Sequence, residues 1–301
     1  MDIVTRAHQE QARSLVQMTP LDPISVVVTT YNRSEALVAV LGGLAAQDDK
    51  DFELIIADDG SLPQHVKAME HAVCELGLTA SHVWHPDVGF TAARVRNLGV
   101  LLARGRYIVF LDGDCVPETD FIRRHRQLRE EGCFVNGSRV LLSPGLTQAV
   151  VEGHEQIFGR NLSYWFARWR KKSANKWTSL VRFPNLGMRK KSQFSWRGIR
   201  SCNFGLWRRD YEAVDGFDET FVGWGHEDAD LVLRLHNFGV VRKNGFFATE
   251  VYHLWHREAS RNEQSANAQR VLERVQTSQI KADRGLGQSR LDGPVEVKRW
   301  G

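Results

Sequence analysis

A chain of 301 residues can bury one large α/β core or two modest ones, and apolar and charged fractions of 42% and 25% exclude wholesale disorder. No apolar run approaches the roughly 18 residues a membrane-spanning helix needs, and the mixed, polar start of the chain has no secretory h-region. The net charge of +4 conceals a concentration: residues 157–200 carry twelve Lys/Arg and nine aromatics but no Asp or Glu, which leaves the rest acidic.

After an N-terminal extension over 1–22, the first half alternates regularly. ISVVVTT (24–30) is an apolar, β-branched run suited to a strand covered on both faces. Ser34 is expected to cap a helix running to about Ala46. FELIIADD (52–59) reads as a second strand, followed by a helix starting near Pro63. A short third strand near His82–His85 leads into GFTAARVRNLGVLLARG (89–105), whose apolar spacing is helical, and RYIVFLDGDC (106–115) reads as the fourth. This alternation predicts a mostly parallel sheet with right-handed crossovers, in which ligands collect at the carboxyl ends of the strands. Beyond about Val140 the alternation stops. A helix near 146–158 precedes the basic aromatic segment, CNFGLWRR (202–209) reads as a strand, and 239–258 reads as strand pairs. Residues 259–301 are expected to form a polar helical tail. The resulting division is 23–140 for one half and 141–258 for the other.

Polar residues gather where the first-half strands end: Thr29, Thr30, Tyr31, Asn32 and Arg33 after the first, Asp58, Asp59 and Ser61 after the second, Asp112 and Asp114 after the fourth. Each alone is ordinary turn chemistry, but three on one rim point to a binding crevice. Neither a Gly-x-Gly-x-x-Gly turn nor a phosphate-binding Gly-x-x-x-x-Gly-Lys follows the first strand, so a dinucleotide site and a P-loop are not indicated. Gly113 permits a turn that brings Asp112 and Asp114 to one side, and two close carboxylates call for a cation; all-oxygen ligation suits Mg²⁺ or Mn²⁺. His253 and His256 supply imidazoles beside that turn if a strand ends between them. Arg94 and Arg96, at the start of the third helix, are expected to neutralise these acids and to hold a diphosphate.

GWGHEDADLVLRL (223–235) places His226, Glu227, Asp228 and Asp230 at the start of a helix. Leu231, Leu235 and Phe238 form an apolar stripe, and Asp228 continues it inward. Asp230 is expected to face Arg234 as an exposed ion pair. Asp228 has no explanation beyond helix-end electrostatics, and an inward carboxylate at a helix start suits a general base.

In combination and in this order, VVVTTYNR, FELIIADDGS, GFTAARVRNLG, YIVFLDGDC, VDGFDETFVGWGHEDADLVLRLHNFG and VYHLWH resemble an inverting nucleotide-sugar glycosyltransferase of family 2 with the GT-A fold, over roughly Ile24 to Arg257. The second-half block resembles the carboxyl-terminal module of galactosyl- and N-acetylgalactosaminyltransferases. The resemblance implies an α/β fold, a Rossmann-like nucleotide-binding half joined to a mixed acceptor-binding half. It implies that Thr29, Tyr31 and Asp58 or Asp59 contact base and ribose, that Arg96 contacts the diphosphate, and that Asp112 and Asp114 are the DxD motif with Asp114 on the metal. His253 or His256 would be a further metal ligand, and Asp228 the base, with Glu227 and Trp224 beside the acceptor. Arg33 joins the expected donor contacts and Asn203 the acceptor contacts. The family often reads Gly where this chain has His226.

These expectations amount to a Mn²⁺- or Mg²⁺-dependent transfer of a hexose or N-acetylhexosamine from a UDP-sugar to a glycan or lipid-linked acceptor. The competing reading is a nucleotide-sugar- or glycan-binding module without transfer. Lys, Arg and Trp at the density of 157–200 suit the interface of an anionic membrane, and a lipid-linked or polyanionic acceptor fits with that. Nucleic acid is not expected, because no nucleic-acid module accompanies the segment. Cys74, Cys115, Cys133 and Cys202 form no CxxC pair and read as reduced thiols of a cytosolic protein, peripheral on the inner face of a membrane if 157–200 docks there.

Overall fold

In the computed structural model, residues 23–223, 225–257, 264–291 and 294–301 are described. The first-half strands form where apolar runs were read: β1 (Ile24–Thr30), β2 (Phe52–Asp58), β3 (Ala80–Trp84) and β4 (Tyr107–Asp112). Between them run helices α1 (Ser34–Ala45), α2 (Pro63–Glu75) and α3 (Ala92–Leu102). β1 pairs in parallel with both β2 and β4, and β2 pairs in parallel with β3. Side chains alternate across this sheet. Val26 and Val28, Leu54 and Ile56, Val109 and Leu111 enter one core, while Val27, Ile55, Ile108 and Phe110 enter the other. Two-sided burial is why these strands read as continuous apolar runs.

The chain continues through β5 (Cys115–Pro117), α4 (Phe121–Leu128), β6 (Cys133–Asn136), β7 (Ser138–Leu141), α5 (Pro144–Val151) and α6 (Leu162–Arg170). Then come β8 (Lys190–Lys191), β9 (Asn203–Trp207), α7 (Arg208–Ala213), α8 (Glu227–Asn237), β10 (Val241–Asn244), β11 (Glu250–His253), α9 (Gln264–Val275) and β12 (Glu296–Trp300). The main sheet has the order β12-β3-β2-β1-β4-β9-β6-β10-β8, and β5-β11-β7 form a second sheet. One sheet therefore runs through both halves of the chain, with antiparallel β9 between β4 and β6.

Several local expectations need correction. Ser34 does not cap its helix; it is the first helical residue, and its hydroxyl meets His65 Nδ1 at 2.9 Å. β10 and β11 do not pair with each other but belong to different sheets. The expected helical tail holds α9 and then strand β12, which lies antiparallel to β3 at the sheet edge. Only Trp300 of β12 is buried, stacking on His82 at 4.1 Å, while its charged residues face water as edge strands require. Phe238 is 45% exposed, so the apolar stripe of α8 ends with Leu231, Val232 and Leu235.

Among the described residues no helix is long and apolar enough to cross a membrane.

Candidate active site

The polar strand ends meet at one end of the sheet, Asn32 N donating to Ser61 Oγ and Arg33 Nη1 to Asp114 Oδ2. Gly113 follows β4, and a Cβ there would sit 2.9 Å from Thr29 O; its own N–H donates to that carbonyl at 2.7 Å. Only glycine allows this approach, and it lets the chain turn between the two acids. Asp112 keeps the parity of Ile108 and Phe110 and so faces α3 and α8. Asp114, past the turn, faces β11.

Each acid finds cations. Arg96, buried on α3, reaches Asp112 Oδ1 through Nη2 and Glu227 Oε1 through Nη1, both at 3.1 Å. Burial alone would make Arg96 easier to deprotonate, but these two carboxylates hold it firmly charged. Burial raises the Asp112 carboxyl, Arg96 opposes this, and Asp114 adds to it. Arg94, by contrast, forms no ion pair with a described residue. Asp114 Oδ2 takes Arg33 Nη1 at 3.0 Å and lies 3.3 Å from His256 Nε2, while Oδ1 lies 3.8 Å from His253 Nε2. β11 ends at His253, so the chain turns between the two histidines and both rings reach the same acid, 5.2 Å apart.

This donor set fits a divalent cation. Ligand atoms of Asp114, Cys115 and His253 lie within 4.8 Å of one another. Burial pushes the His253 imidazole down to about 4, which leaves it neutral with a free lone pair. Cys115 is buried, and desolvation together with its hydrogen bond to Cys202 raises its thiol well above the usual range. One carboxylate with imidazoles suits Mn²⁺ better than Mg²⁺.

Across from this turn, α8 begins at Glu227 with no side-chain cap. Gly223, Gly225 and His226 all have left-handed backbones, with φ of 77°, 99° and 73°. For His226 that conformation carries a cost that glycine escapes, and it turns the chain so that Glu227 and Asp228 enter the molecule. Glu227 is buried against Arg96. Asp228 is part-buried and accepts a hydrogen bond from Ser201 N at 3.4 Å. Burial first, and then the Glu227 charge, raise its carboxyl to about 7, with Arg96 pulling the other way. Asp228, Glu227, Arg96 and Asp112 thus form one electrostatic cluster leading to the Asp114 turn.

The remaining expected residues divide. Tyr31 is 47% exposed, and its hydroxyl donates to Asp87 Oδ2 at 2.7 Å. Thr29 Oγ1 is buried without a hydrogen-bond partner among the described residues. Asp58 is fully buried, accepting from Ser61 N at 2.8 Å and meeting His82 Nε2 at 3.2 Å. Asp59 takes the amide of Thr91 at 2.9 Å, its hydroxyl, and His85 Nε2 at 3.1 Å. Asn203 departs from expectation. It lies 1% exposed in β9, its amide donating to the carbonyls of Ser138 and Thr249 and its oxygen meeting His125, so it ties the interior together with its polar atoms already taken. Asp230 departs too. It is fully buried, with Arg234 Nε at 2.8 Å and Arg274 Nη1 at 2.5 Å, and so is no exposed pair. Trp224 lies outside the described residues. Asp87, which follows β3, was missed; the same strand-end rule that singled out the other acids applies to it.

Comparison with known proteins adds an independent finding. The profile of glycosyl transferase family 2 matches residues 25–192, and that described as the N-terminal domain of galactosyltransferase matches 184–257. Validoxylamine A glucosyltransferase of Streptomyces hygroscopicus subsp. jinggangensis is 29% identical over 230 residues, covering 72% of this chain and 52% of that protein. Chondroitin synthase of Escherichia coli is 26% identical over 236 residues, covering 73% of this chain and 33% of that protein. This chain thus spans about half the length of the first relative and a third of the second. The crystal structure of S. aureus TarS superposes with a TM-score of 0.55 at 15% identity, over 89% of this chain and 41% of that one, a likeness of fold.

Proposed function

The chain belongs to glycosyl transferase family 2 and is a glycosyltransferase with a GT-A-type fold, and from that premise we propose a metal-assisted, inverting transfer of a hexose or N-acetylhexosamine from a UDP-sugar to a hydroxyl of a glycan or lipid-linked saccharide. Relatives that are polysaccharide synthases support glycosyl transfer in polysaccharide synthesis as the setting. The observation that carries the reading is Asp228, a carboxyl raised to about 7 at a helix start and joined through Glu227 and Arg96 to the Asp112–Asp114 turn.

In this mechanism the acceptor oxygen bonds to the anomeric carbon as the bond from that carbon to the diphosphate oxygen breaks, and the hydroxyl proton passes to the Asp228 carboxylate. Asp114 with His253 and His256 would hold a divalent cation, which would supply positive charge opposite the departing diphosphate. Arg94, which forms no ion pair with a described residue, and Arg33, which Asp114 holds at 3.0 Å beside the turn, are the cations proposed to touch phosphate, whereas Arg96 is already matched by two acids. Arg96 acts as a positioning residue. Tyr31 and Thr29 line the donor side of the crevice, and Glu227 sets the charge beside the base.

A base with its carboxyl near 7 must be ionised to work. The rate is therefore expected to climb with pH through a midpoint of about 7 and to fall away below it. A profile of kcat/KM that stays level down to pH 5 would remove Asp228 from this role.

Membrane contact is proposed for one face of the basic segment. Phe166 and Trp169 are 44% and 42% exposed on α6, with their rings 5.7 Å apart, and Lys171 and Lys172, which form no ion pair with a described residue, follow directly. Lys190, by contrast, is taken up by Glu130 at 2.5 Å. Lys171→Glu with Lys172→Glu is expected to weaken co-sedimentation with phosphatidylglycerol vesicles at least about 10-fold, from about 1 kcal/mol per basic residue. Lys190→Glu with Lys191→Glu is expected to do less. Sedimentation unchanged by the first pair would end the membrane proposal.

A further inference from the structure

A cavity of about 310 Å³ has a wall whose charge is one-sided. Arg139, Lys176, Arg200 and Arg242 line it together with Asn136 and Ser138, and no Asp or Glu does. Its wall reaches the active site by two routes. Arg200 directly precedes Ser201, whose N–H meets Asp228. Arg139 sits on β7 opposite Val251 of β11, the strand that ends at His253.

Some cations of the basic segment are matched by acids: Arg168 by Glu155 at 2.5 Å, Arg182 by Asp120 at 2.9 Å, Lys190 by Glu130. At the cavity they are not. Arg139 and Arg200 form no ion pair with a described residue. Lys176 gives only a hydrogen bond to Ser138 Oγ at 3.0 Å. Arg242 Nη1 donates to the carbonyls of Ser195 and Arg197 at 3.2 and 2.9 Å, while its Nε is buried with no partner among the described residues. Burial makes Lys176 harder to keep protonated; Glu250 offsets this, and the charges of Arg200 and Arg139 add to it. Four cations drawn to one concave wall without a carboxylate repel one another, and a bound anion relieves that repulsion.

We propose that this cavity is an acceptor subsite that takes an oxyanion, a sugar carboxylate or a phosphate ester, carried by the acceptor close to the hydroxyl that reacts. The inference rests on Asp228 being the base, because that fixes which end of the cleft the acceptor enters. Two arginines with open forks suit the planar, bidentate recognition of such groups.

The test measures binding and needs no turnover. With UDP and Mn²⁺ present to fill the donor side, methyl glucuronoside and glucose 6-phosphate are titrated against methyl glucoside by ligand-observed NMR. At least one charged sugar is expected to bind about 10- to 100-fold tighter than the neutral one, the range for charge-assisted hydrogen bonds. Which of the two it is distinguishes carboxylate from phosphate. Arg139→Gln with Arg200→Gln is expected to erase the preference, Arg200→Glu to reverse it, and Arg200→Lys to keep part of it. Equal binding of all three sugars overturns the proposal, as does a preference that survives the double substitution. Donor turnover, followed separately as UDP release from a UDP-sugar, reports on the transferase reading: turnover without anion preference rejects the subsite alone, and anion preference without turnover rejects the transfer chemistry alone.

Discussion

Asp228→Asn is expected to lower sugar transfer by about 10²- to 10⁴-fold, the usual worth of a general base, while leaving donor binding in place. The substitution keeps the shape of the side chain and its bond from Ser201 N, but the amide cannot take a proton. Stability separates loss of the base from loss of fold. The native carboxyl is raised from 3.8 to about 7, so between those values the folded protein holds a proton that the unfolded chain has released. The wild-type contribution of this group to stability therefore falls as pH rises through that window. The D228N protein lacks that fall and is expected to be no less stable than wild type at pH 8. A D228N enzyme that transfers sugar near the wild-type rate would contradict the assignment, and one that unfolds would leave Asp228 a structural residue.

The second large effect concerns the helix that carries the base. Asp230 is fully buried and joins Arg234 to Arg274, and Arg274 in turn reaches Asp218 at 2.7 Å. Burial would raise the Asp218 carboxyl, but hydrogen bonds from Thr220 and Arg274 bring it down to about 2. The network pins α8 to α9 and to the loop before α8. Asp230→Ala leaves the fully buried Arg234 guanidinium without its carboxylate and Arg274 with Asp218 and Asp283 alone, and a cost of about 3–5 kcal/mol is expected in urea denaturation. An exposed i,i+4 pair would lose only about 0.3–0.5 kcal/mol. A measured loss below about 1 kcal/mol would mean that the network does not hold α8.

Asp230 also illustrates what could be read from sequence. Its neighbour Arg234 is four residues away and visible, and such pairs ordinarily lie on a wet surface. The partner that buries it, Arg274, lies 44 residues further on in a polar helix, where no local pattern signals it. β12 escaped for a related reason. Glu296, Val297, Lys298 and Arg299 are exposed at a sheet edge, so EVKRW lacks the alternation of a half-buried strand. β1, β2 and β4 were legible because burial on both faces demands apolar residues at every position, and the acids at their ends stand out against that run. Asp112, Asp114, Asp228 and the two histidines were singled out this way, from polar residues placed where apolar ones would be more stable. Asn203, expected at the acceptor, is instead consumed in the interior, since a buried amide can tie β9 to β7 and to the bend before β11 as readily as it can face a ligand. Spacing also could not reveal that Arg96 would be consumed by Asp112 and Glu227, because that depends on α3 and α8 meeting over the end of β4.

The measurement that bears most directly on this account is a crystal structure of the D228N protein with Mn²⁺ and an unreacted UDP-sugar. The account predicts the ion on Asp114 with His253, His256 or both, the diphosphate against it, and the residue-228 side chain facing the anomeric carbon from the side opposite the diphosphate. An ion bound away from Asp114, or a sugar whose anomeric carbon is out of reach of position 228, would contradict it.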